Sequence, residues 1–246
     1  MDKIQLLNQR ISLLQPEDGF RTSQDAVLLA AACPAKEQET VLELGCGVGS
    51  AIFCLLWRQP HLNVTGIDIE QTYLDLAQQN AVLNDMTVTL TRQDIIEYAV
   101  TNPKDRFDHV ICNPPFFDTK THIPSPKEIK ARAKGHQEHH HTLDAWIKSA
   151  FDALRPKGCF TIIHKAEKLD HILQLLTKRF GATEIIPIYS KQNEPAKRVI
   201  VRSYKERHSP CKLYPSVIMH KEGNTPSEIS DKLLRDGQSF DKVFEE

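Results

Sequence analysis

Five consecutive residues, Asn113-Pro114-Pro115-Phe116-Phe117, have the side chains and the stiffness to hold a flat group that carries an amine. They directly follow residues 107–112, whose apolar run predicts a short buried strand. Each proline fixes its own φ, lacks an N–H and disfavours helix at the residue before it. The side-chain amide of Asn113 and the carbonyl of Pro114 are therefore predicted to point outward as two hydrogen-bond acceptors. An exocyclic amine can donate to both, and Phe116 can stack on a flat ring. We call residues 113–116 the lip.

A glycine-rich turn lies upstream of the lip. Gly45, Gly47 and Gly49 follow a predicted strand over 40–44 and precede a predicted helix over 49–58. Glycines there allow a tight turn and a close approach of backbone to ligand. The next predicted strand, 62–67, leads into Asp68, nineteen residues after Gly49. In a doubly wound sheet an acid at that place can accept hydrogen bonds from both hydroxyls of a ribose.

The glycine spacing departs from the dinucleotide fingerprint Gly-x-Gly-x-x-Gly, because Gly49 falls one residue early and Ser50 replaces the third glycine. Glu43, two residues before Gly45, also differs from that fingerprint. A carboxylate there repels a pyrophosphate and suits a ligand that bears an ammonium group. The turn therefore favours S-adenosylmethionine over a nicotinamide cofactor, which stays the alternative.

Four further polar residues are candidates for the same site. Asp94 follows a predicted strand over 87–91 and could accept a hydrogen bond from the adenine amine of the cofactor, while also capping a helix that begins near Ile95. Glu70 is predicted to cap the next helix rather than to bind the ribose. Arg21 could pair with the methionine carboxylate, and Ser23 caps a helix. For the segment around Arg21, a purely structural lid is the alternative.

Strand-like and helix-like segments alternate from residue 40 to about 204, which predicts an α/β sandwich with a mainly parallel sheet and an antiparallel end. We predict an N-terminal preface (1–38) with one helix from Gln24 to Cys33, a catalytic domain (39–204) and a C-terminal tail (205–246) packed on the same domain. The tail contains a helix with a capping box, Thr225-Pro226-Ser227-Glu228, and a stop at Gly237. Further predicted strands are 107–112, 159–164, 183–189 and 198–203, and further predicted helices are 71–83, 142–154 and 167–180.

Composition limits the partners. The 246 residues are 40% hydrophobic and 26% charged with a net charge of −1, typical of a globular protein that has no overall field to attract nucleic acid. The apolar runs are too short for a bilayer and the start lacks a signal-peptide pattern, so we expect a cytoplasmic protein whose six cysteines are reduced. Local positive clusters at 120–134 and 189–221 favour a phosphate-backbone partner.

A histidine cluster at 136–141 invites a metal interpretation, since His136 and His139 are three residues apart. No second ligand pair at metal-site spacing accompanies them, so a solvated or substrate-facing loop is favoured and we expect no metal.

In combination, Glu43 with the three glycines, Asp68, Asp94 and Asn-Pro-Pro-Phe resemble the class I S-adenosylmethionine-dependent methyltransferases that modify amino groups. More narrowly, residues 19–30 (GFRTSQDAVLLA) and 193–199 (NEPAKRV) resemble motifs of the bacterial valine-tRNA adenine-37 N6-methyltransferases. The resemblance covers roughly residues 12–240. It implies a Rossmann-like, seven-stranded methyltransferase sandwich and methylation of the N6 amine of an adenine in RNA, with a tRNA as the expected substrate. Asn113, Pro114, Pro115 and Phe116 would then be the catalytic residues.

Other activities fit parts of the same pattern. A glutamine side chain, as in N5-methylation of a release factor, also suits the lip, although that family carries a helical N-terminal domain for which residues 1–38 are too short. A DNA adenine methyltransferase would need a target-recognition domain larger than the tail. A dehydrogenase is disfavoured by Glu43 and Ser50, and a non-catalytic nucleotide-binding module leaves the paired acceptors without a role.

Overall fold

The computed structural model describes residues 1–17, 21–116 and 141–245, and nine of its strands form one twisted sheet with helices on both faces. The strands are β1 (Asp2–Leu6), β2 (Ile11–Gln15), β3 (Thr40–Leu44), β4 (Asn63–Asp68), β5 (Thr89–Arg92), β6 (Phe107–Cys112), β7 (Leu154–Lys165), β8 (Phe180–Lys191), β9 (Arg198–Lys205), β10 (Lys212–Leu213) and β11 (Val217–His220). The helices are α1 (Gln24–Ala32), α2 (Ser50–Arg58), α3 (Gln71–Leu83), α4 (Ile95–Thr101), α5 (Leu143–Ala153), α6 (Leu169–Leu176), α7 (Glu228–Leu234) and α8 (Phe240–Glu245).

The sheet has the strand order β10-β8-β9-β7-β6-β3-β4-β5, and β11 also pairs with β8. Strands β5, β4, β3, β6 and β7 are parallel, whereas β9 runs antiparallel to both β7 and β8. The mainly parallel, seven-stranded sandwich with an antiparallel end is thus confirmed, and β10 and β11 extend it. Because Leu44 pairs with both Ile67 and Cys112, the chain leaves β3, β4 and β6 at one common edge.

Buried apolar side chains form one cluster on each face of the sheet. One cluster packs α1, α2, α3 and the tail helices against the sheet, and the other packs α4, α5 and α6 against its opposite face. The central strand β6 is buried at all six positions, Asp108 and His109 included, which agrees with helices on both sides. This double covering fixes the carboxyl edge of the sheet, where the candidate site lies.

The N-terminal preface contains, besides α1, a hairpin of β1 and β2 that the sequence did not predict. Two asparagines hold it, Asn80 of α3 and Asn84 directly after that helix. The Asn80 side chain accepts from Leu14 N at 2.7 Å and donates to Leu14 O and Val48 O at 3.0 Å each. Asn84 pairs with both backbone groups of Ser12. Asn80 therefore connects the hairpin directly to the glycine turn, in which Val48 lies.

The tail helix starts later than predicted. Ser227, not Thr225, is the N-cap of α7, because its hydroxyl accepts from Ser230 N at 3.0 Å while donating to Ile218 O at 2.6 Å. The capping-box prediction was therefore wrong in register, and Pro226 precedes the helix instead of opening it. The helix ends at Leu234, before Gly237. Among the helices of the described residues, none combines the length and the apolar character that a membrane crossing requires.

Candidate active site

The glycine turn between β3 and α2 is held open by its own backbone conformation. Gly45 and Gly49 have φ of +66° and +85°, a region that side chains disfavour. A Cβ added at Gly45 would lie 2.6 Å from Trp146 of α5, and one at Gly49 would lie 2.3 Å from Phe53 of α2. These positions require glycine because the turn packs against both helices. Trp146 consequently forms part of the wall beside the turn.

Asp68, at the end of β4, holds the turn from the side. One of its carboxylate oxygens accepts from Gly47 N at 2.8 Å, and the other accepts from Glu70 N at 2.9 Å. Burial raises the pKa of the Asp68 carboxyl, although these two N–H donors oppose the shift. Each oxygen keeps a second lone pair for another donor. Glu70 occupies the N-cap position of α3, but its exposed side chain makes no capping hydrogen bond, contrary to prediction.

Glu43 lies beneath the turn rather than in the wall of the site. Its residue is only 4% exposed, and one carboxylate oxygen is buried without a hydrogen bond to any described residue. Burial, together with the nearby charge of Asp68, raises the pKa of Glu43 well above its ordinary value. Direct contact between Glu43 and the ammonium group of a ligand, as the sequence suggested, is therefore not part of this geometry.

Asp94 joins the N-terminus of α4 to the segment before α5. Its Oδ1 accepts from Ile96 N at 2.8 Å and Glu97 N at 3.4 Å, which confirms the predicted cap. Its Oδ2 lies 2.5 Å from Nε2 of His141. Partial burial raises the pKa of Asp94, but the hydrogen bonds from His141 and Ile96 N outweigh it and the pKa is lowered.

The lip leaves β6 beside the glycine turn, with Pro114 buried and Asn113 and Phe116 half-buried. Side chains from β7 and β9 pack on the Phe116 ring. The guanidinium carbon of Arg198 lies 4.7 Å from the ring centroid, and the His164 ring meets it edge-to-face at 5.0 Å. His164 is 6% exposed, and burial with nearby cations lowers its pKa to about 4, so its imidazole is neutral near pH 7.

One cavity of about 670 Å³ connects these elements. It brings together most of the site residues chosen from the sequence, and Glu43 and Gly49 are the two that do not line it. Arg21 reaches the cavity while pairing with Asp2 of the hairpin at 2.6 Å. The predicted residues in its wall are Arg21, Ser23, Gly45, Gly47, Asp68, Asp94, Asn113, Pro114, Pro115 and Phe116.

Sequence reasoning missed several residues that line the cavity, among them Asp25, Tyr73, Trp146 and Arg198. Asp25 could have been noticed, since it is the one acid next to the apolar run of α1 and a buried acid needs a partner. Trp146 gave no such signal, because a tryptophan on an apolar helix face is ordinary core.

Some cations of the predicted basic clusters are buried in ion pairs, and other members of the basic and histidine clusters fall outside the described residues. Of the cluster at 189–221, Arg202 and Lys205 are 2% and 4% exposed and form ion pairs with Asp241 and Asp105 at 2.7 Å each, so neither can contact a partner's phosphate. The cluster at 120–134, Phe117 and His136, His139 and His140 lie outside the described residues. Within the described ranges, no group of His, Cys, Asp and Glu has the arrangement of a metal site.

The comparison with known families decides which proteins share this arrangement. Residues 22–192 match the methyltransferase small domain. The chain belongs to this family. Among curated relatives of this methyltransferase, a tRNA1(Val) (adenine(37)-N6)-methyltransferase of Vibrio cholerae is 28% identical over 93% of this chain and 92% of its own. The enzyme of the same description from Vibrio parahaemolyticus is 24% identical over 83% of each chain.

Solved structures show the same fold. A predicted O-methyltransferase of Agrobacterium tumefaciens superimposes on this methyltransferase with a TM-score of 0.71 at 22% identity, covering 87% of this chain and 97% of that one. The 16S rRNA N2 G1207 methyltransferase of Thermus thermophilus, solved with AdoMet and guanosine, has a TM-score of 0.57 at 18% identity over 83% of this chain and 50% of that one.

S-adenosylmethionine is the cofactor of this methyltransferase. The cavity fits it: open glycine backbone and the Asp68 carboxylate lie on one side, and the apolar side chains of Ile69, Tyr73 and Ile95 offer walls for a flat base.

Proposed function

We propose that this methyltransferase methylates the N6 amine of an adenine in RNA, with a tRNA as the RNA. The observation that carries the proposal is the cavity that joins the glycine turn and Asp68 to Asn113 and Phe116 of the lip. A cofactor site and an amine-receiving site that share one cavity allow direct transfer of the methyl group between the two ligands. The relatives described as tRNA1(Val) (adenine(37)-N6)-methyltransferases support the choice of substrate.

At the cofactor end, we assign each residue a role that its place in the cavity supports. The free lone pairs of Asp68 would accept hydrogen bonds from the ribose hydroxyls, while its bonds to Gly47 N and Glu70 N hold the carboxylate at the cavity wall. Asp94 would accept a hydrogen bond from the adenine amine of the cofactor. We assign Ser23 and Arg21, which line the cavity, to the methionine end, where Arg21 would exchange Asp2 for the ligand carboxylate.

At the acceptor end, the lip positions the amine. When bound, S-adenosylmethionine supplies an activated methyl group on its sulfonium. The side-chain oxygen of Asn113 and the carbonyl of Pro114 would accept hydrogen bonds from the two N–H groups of the substrate amine. These bonds favour a pyramidal nitrogen with an available lone pair. Phe116 stacks on the base. Catalysis is then positioning and electrostatics, without a covalent intermediate on the protein. A base within a folded RNA must be swung out of its stack to reach this pocket.

Exposed cations beside the lip supply a surface for the RNA backbone. Lys165 pairs in register with Arg198, and its Nζ lies 6.0 Å from the Phe116 ring. Lys197 has a side chain that is 65% exposed and approaches Glu194 only at 3.9 Å. Because the net charge is −1, RNA binding should depend on such local contacts and weaken as the salt concentration rises. For each phosphate contact, a tenfold increase in salt should lower the affinity by about 0.7–0.9 log units.

The test offers purified protein and methyl-labelled S-adenosylmethionine to unmodified tRNA, to DNA and to a release factor, followed by analysis of the modified nucleosides and residues. N6-methyladenosine in the tRNA is the expected product. An Asn113→Ala variant that still binds cofactor serves as the inactive control. Label on a protein glutamine with none on an RNA adenine would transfer the assignment to glutamine N5-methylation.

A further inference from the structure

Arg198 connects three separate parts of the molecule at the wall of the cavity. It is the first residue of β9, and its Nε donates to Oδ2 of Asp25, in the first turn of α1, at 2.8 Å. Its guanidinium also lies over Phe116 of the lip at 4.7 Å. The side chains of Arg198 and Asp25 are 31% and 11% exposed, so this pair is largely shielded from water.

The contact matters because Phe116 ends the lip, and within the described residues its ring is contacted by His164, Lys165 and Arg198. The prolines before it stiffen the backbone, but they do not set the side-chain torsions of the phenylalanine. A guanidinium is a planar group that stacks on an aromatic face, and the hydrogen bond to Asp25 restricts where that plane can lie. His164 packs on the same ring at 5.0 Å and is neutral. Lys165 Nζ lies 6.0 Å from the ring centroid, so the Arg198 guanidinium at 4.7 Å is the nearer of the two cations.

We propose that Arg198, held by Asp25, is a positioning residue that fixes the Phe116 ring in the orientation on which the acceptor base stacks. The inference rests on the proposed function, since it concerns the acceptor half of the same cavity. Arg198 then acts through Phe116. Its removal should lower turnover even when RNA and cofactor are saturating, because the base is bound but poorly aligned.

A different role is available to an arginine beside a nucleic-acid site, namely binding of a phosphate. The two roles predict different kinetics. Loss of a phosphate contact raises KM and reduces the salt dependence of RNA binding. Loss of a positioning contact lowers kcat and leaves the salt dependence unchanged.

The experiment compares Arg198→Ala with Arg10→Ala as a matched control. Arg10 also lies over an aromatic ring, Trp57, at 5.0 Å and donates one hydrogen bond, to Arg235 O, but it does not line the cavity. Both variants lose a stacked guanidinium, so the effect of that loss on folding is common to them, whereas Arg198→Ala also leaves the Asp25 carboxylate without its ion pair. We expect Arg198→Ala to lower kcat about tenfold, with cofactor affinity and salt slope unchanged, and Arg10→Ala to keep the kcat of the wild type.

Two further variants separate charge from geometry. Arg198→Lys keeps the charge without the planar group, and Asp25→Asn keeps an acceptor without the charge. We expect Arg198→Lys to recover less than half of the lost kcat, and Asp25→Asn to lower kcat about threefold. Both remain informative if Arg198→Ala does not fold.

A double-mutant cycle between Arg198→Ala and Phe116→Leu isolates the contact itself. Once Phe116 is replaced, loss of Arg198 should change kcat less than twofold. The same cycle measured in chemical unfolding needs no substrate, so it reports on the contact even if the acceptor is not RNA. A wild-type enzyme that methylates no RNA adenine overturns the proposed function. An Arg198→Ala variant with full kcat and only a raised KM for RNA, or additive effects in both cycles, overturns the positioning role.

Discussion

The bonds of Asp68 allow one substitution to be worked through from the structure. Asp68→Ala removes the acceptor of two backbone donors, Gly47 N and Glu70 N, at 2.8 and 2.9 Å. A hydrogen bond to a charged group contributes about 1.5–3 kcal/mol. Because Asp68 is half-buried, water can replace part of this, and we expect the free energy of unfolding to fall by about 2–4 kcal/mol.

The same substitution should weaken the cofactor. If both ribose hydroxyls donate to Asp68, their loss costs about 3–6 kcal/mol, so the dissociation constant of the demethylated cofactor should rise about 10²- to 10⁴-fold. Isothermal calorimetry measures this, and urea unfolding of the free protein measures the first effect. Asp68→Asn, which keeps one oxygen but turns an NH2 group toward the other backbone donor, should be intermediate in both.

Glu70→Ala is the matched control, since it removes another acid two residues away that is exposed and caps nothing. We expect it to change stability by less than about 0.5 kcal/mol and to leave the affinity of the cofactor unchanged. If Asp68→Ala bound the cofactor as tightly as Glu70→Ala, the assignment of Asp68 to the ribose would be refuted. If its unfolding curve matched that of the wild type, the two backbone bonds would not be holding the turn.

Three further predictions concern other parts of the site. Asn113→Ala should abolish methyl transfer while cofactor affinity, by calorimetry, stays within about twofold, because Asn113 faces the acceptor; retained turnover would make the lip purely structural. The pKa of Glu43 is raised in the folded state, so the free energy of unfolding should fall as pH rises above the pKa of Glu43 in the unfolded chain, by about 1.4 kcal/mol per pH unit. Glu43→Gln should remove this fall. Parallel stability–pH curves of the variant and the wild type would contradict the prediction. His164 has a pKa of about 4 in the folded state, below its unfolded value of about 6.5, so its contribution to stability is lost as pH falls through this window, by up to about 3 kcal/mol. The free energy of unfolding of His164→Asn should therefore depend less on pH between these values than that of the wild type.

The sequence predicted the central elements well because their signals are local. β3 and β6 lie at the predicted 40–44 and 107–112, and α3 lies at 71–83. Strand β3 ends just before Gly45, and strand β6 ends just before Asn113-Pro114. Both are residue types that interrupt strands. The cap at Asp94 was predictable for the same reason, since an aspartate before an apolar helical pattern satisfies the free N–H groups of the first turn.

What the sequence did not predict depends on non-local contacts. The turn of the N-terminal hairpin contains no glycine, and Leu7, Asn8 and Gln9 all adopt positive φ, so no standard turn signal marks it. Asp25 and Arg198 are 173 residues apart, and only the finished sheet brings β9 against α1. Arg202 was grouped with surface cations because its partner Asp241 comes from the last helix.

Asn80 has a consequence for where this protein can be cut. Similarity to the methyltransferase small domain covers residues 22–192, which invites the excision of that portion as an independent unit. Asn80 is fully buried, and two of its three side-chain bonds go to Leu14 in the hairpin that such trimming removes. In the excised piece the side-chain amide of Asn80 would lose its partner Leu14 and become exposed. The same side chain, which donates to Val48 O, would then be held less firmly. On the N-terminal side, the border of the family match therefore lies inside the folded unit, whose side-chain hydrogen bonds reach back to Leu14.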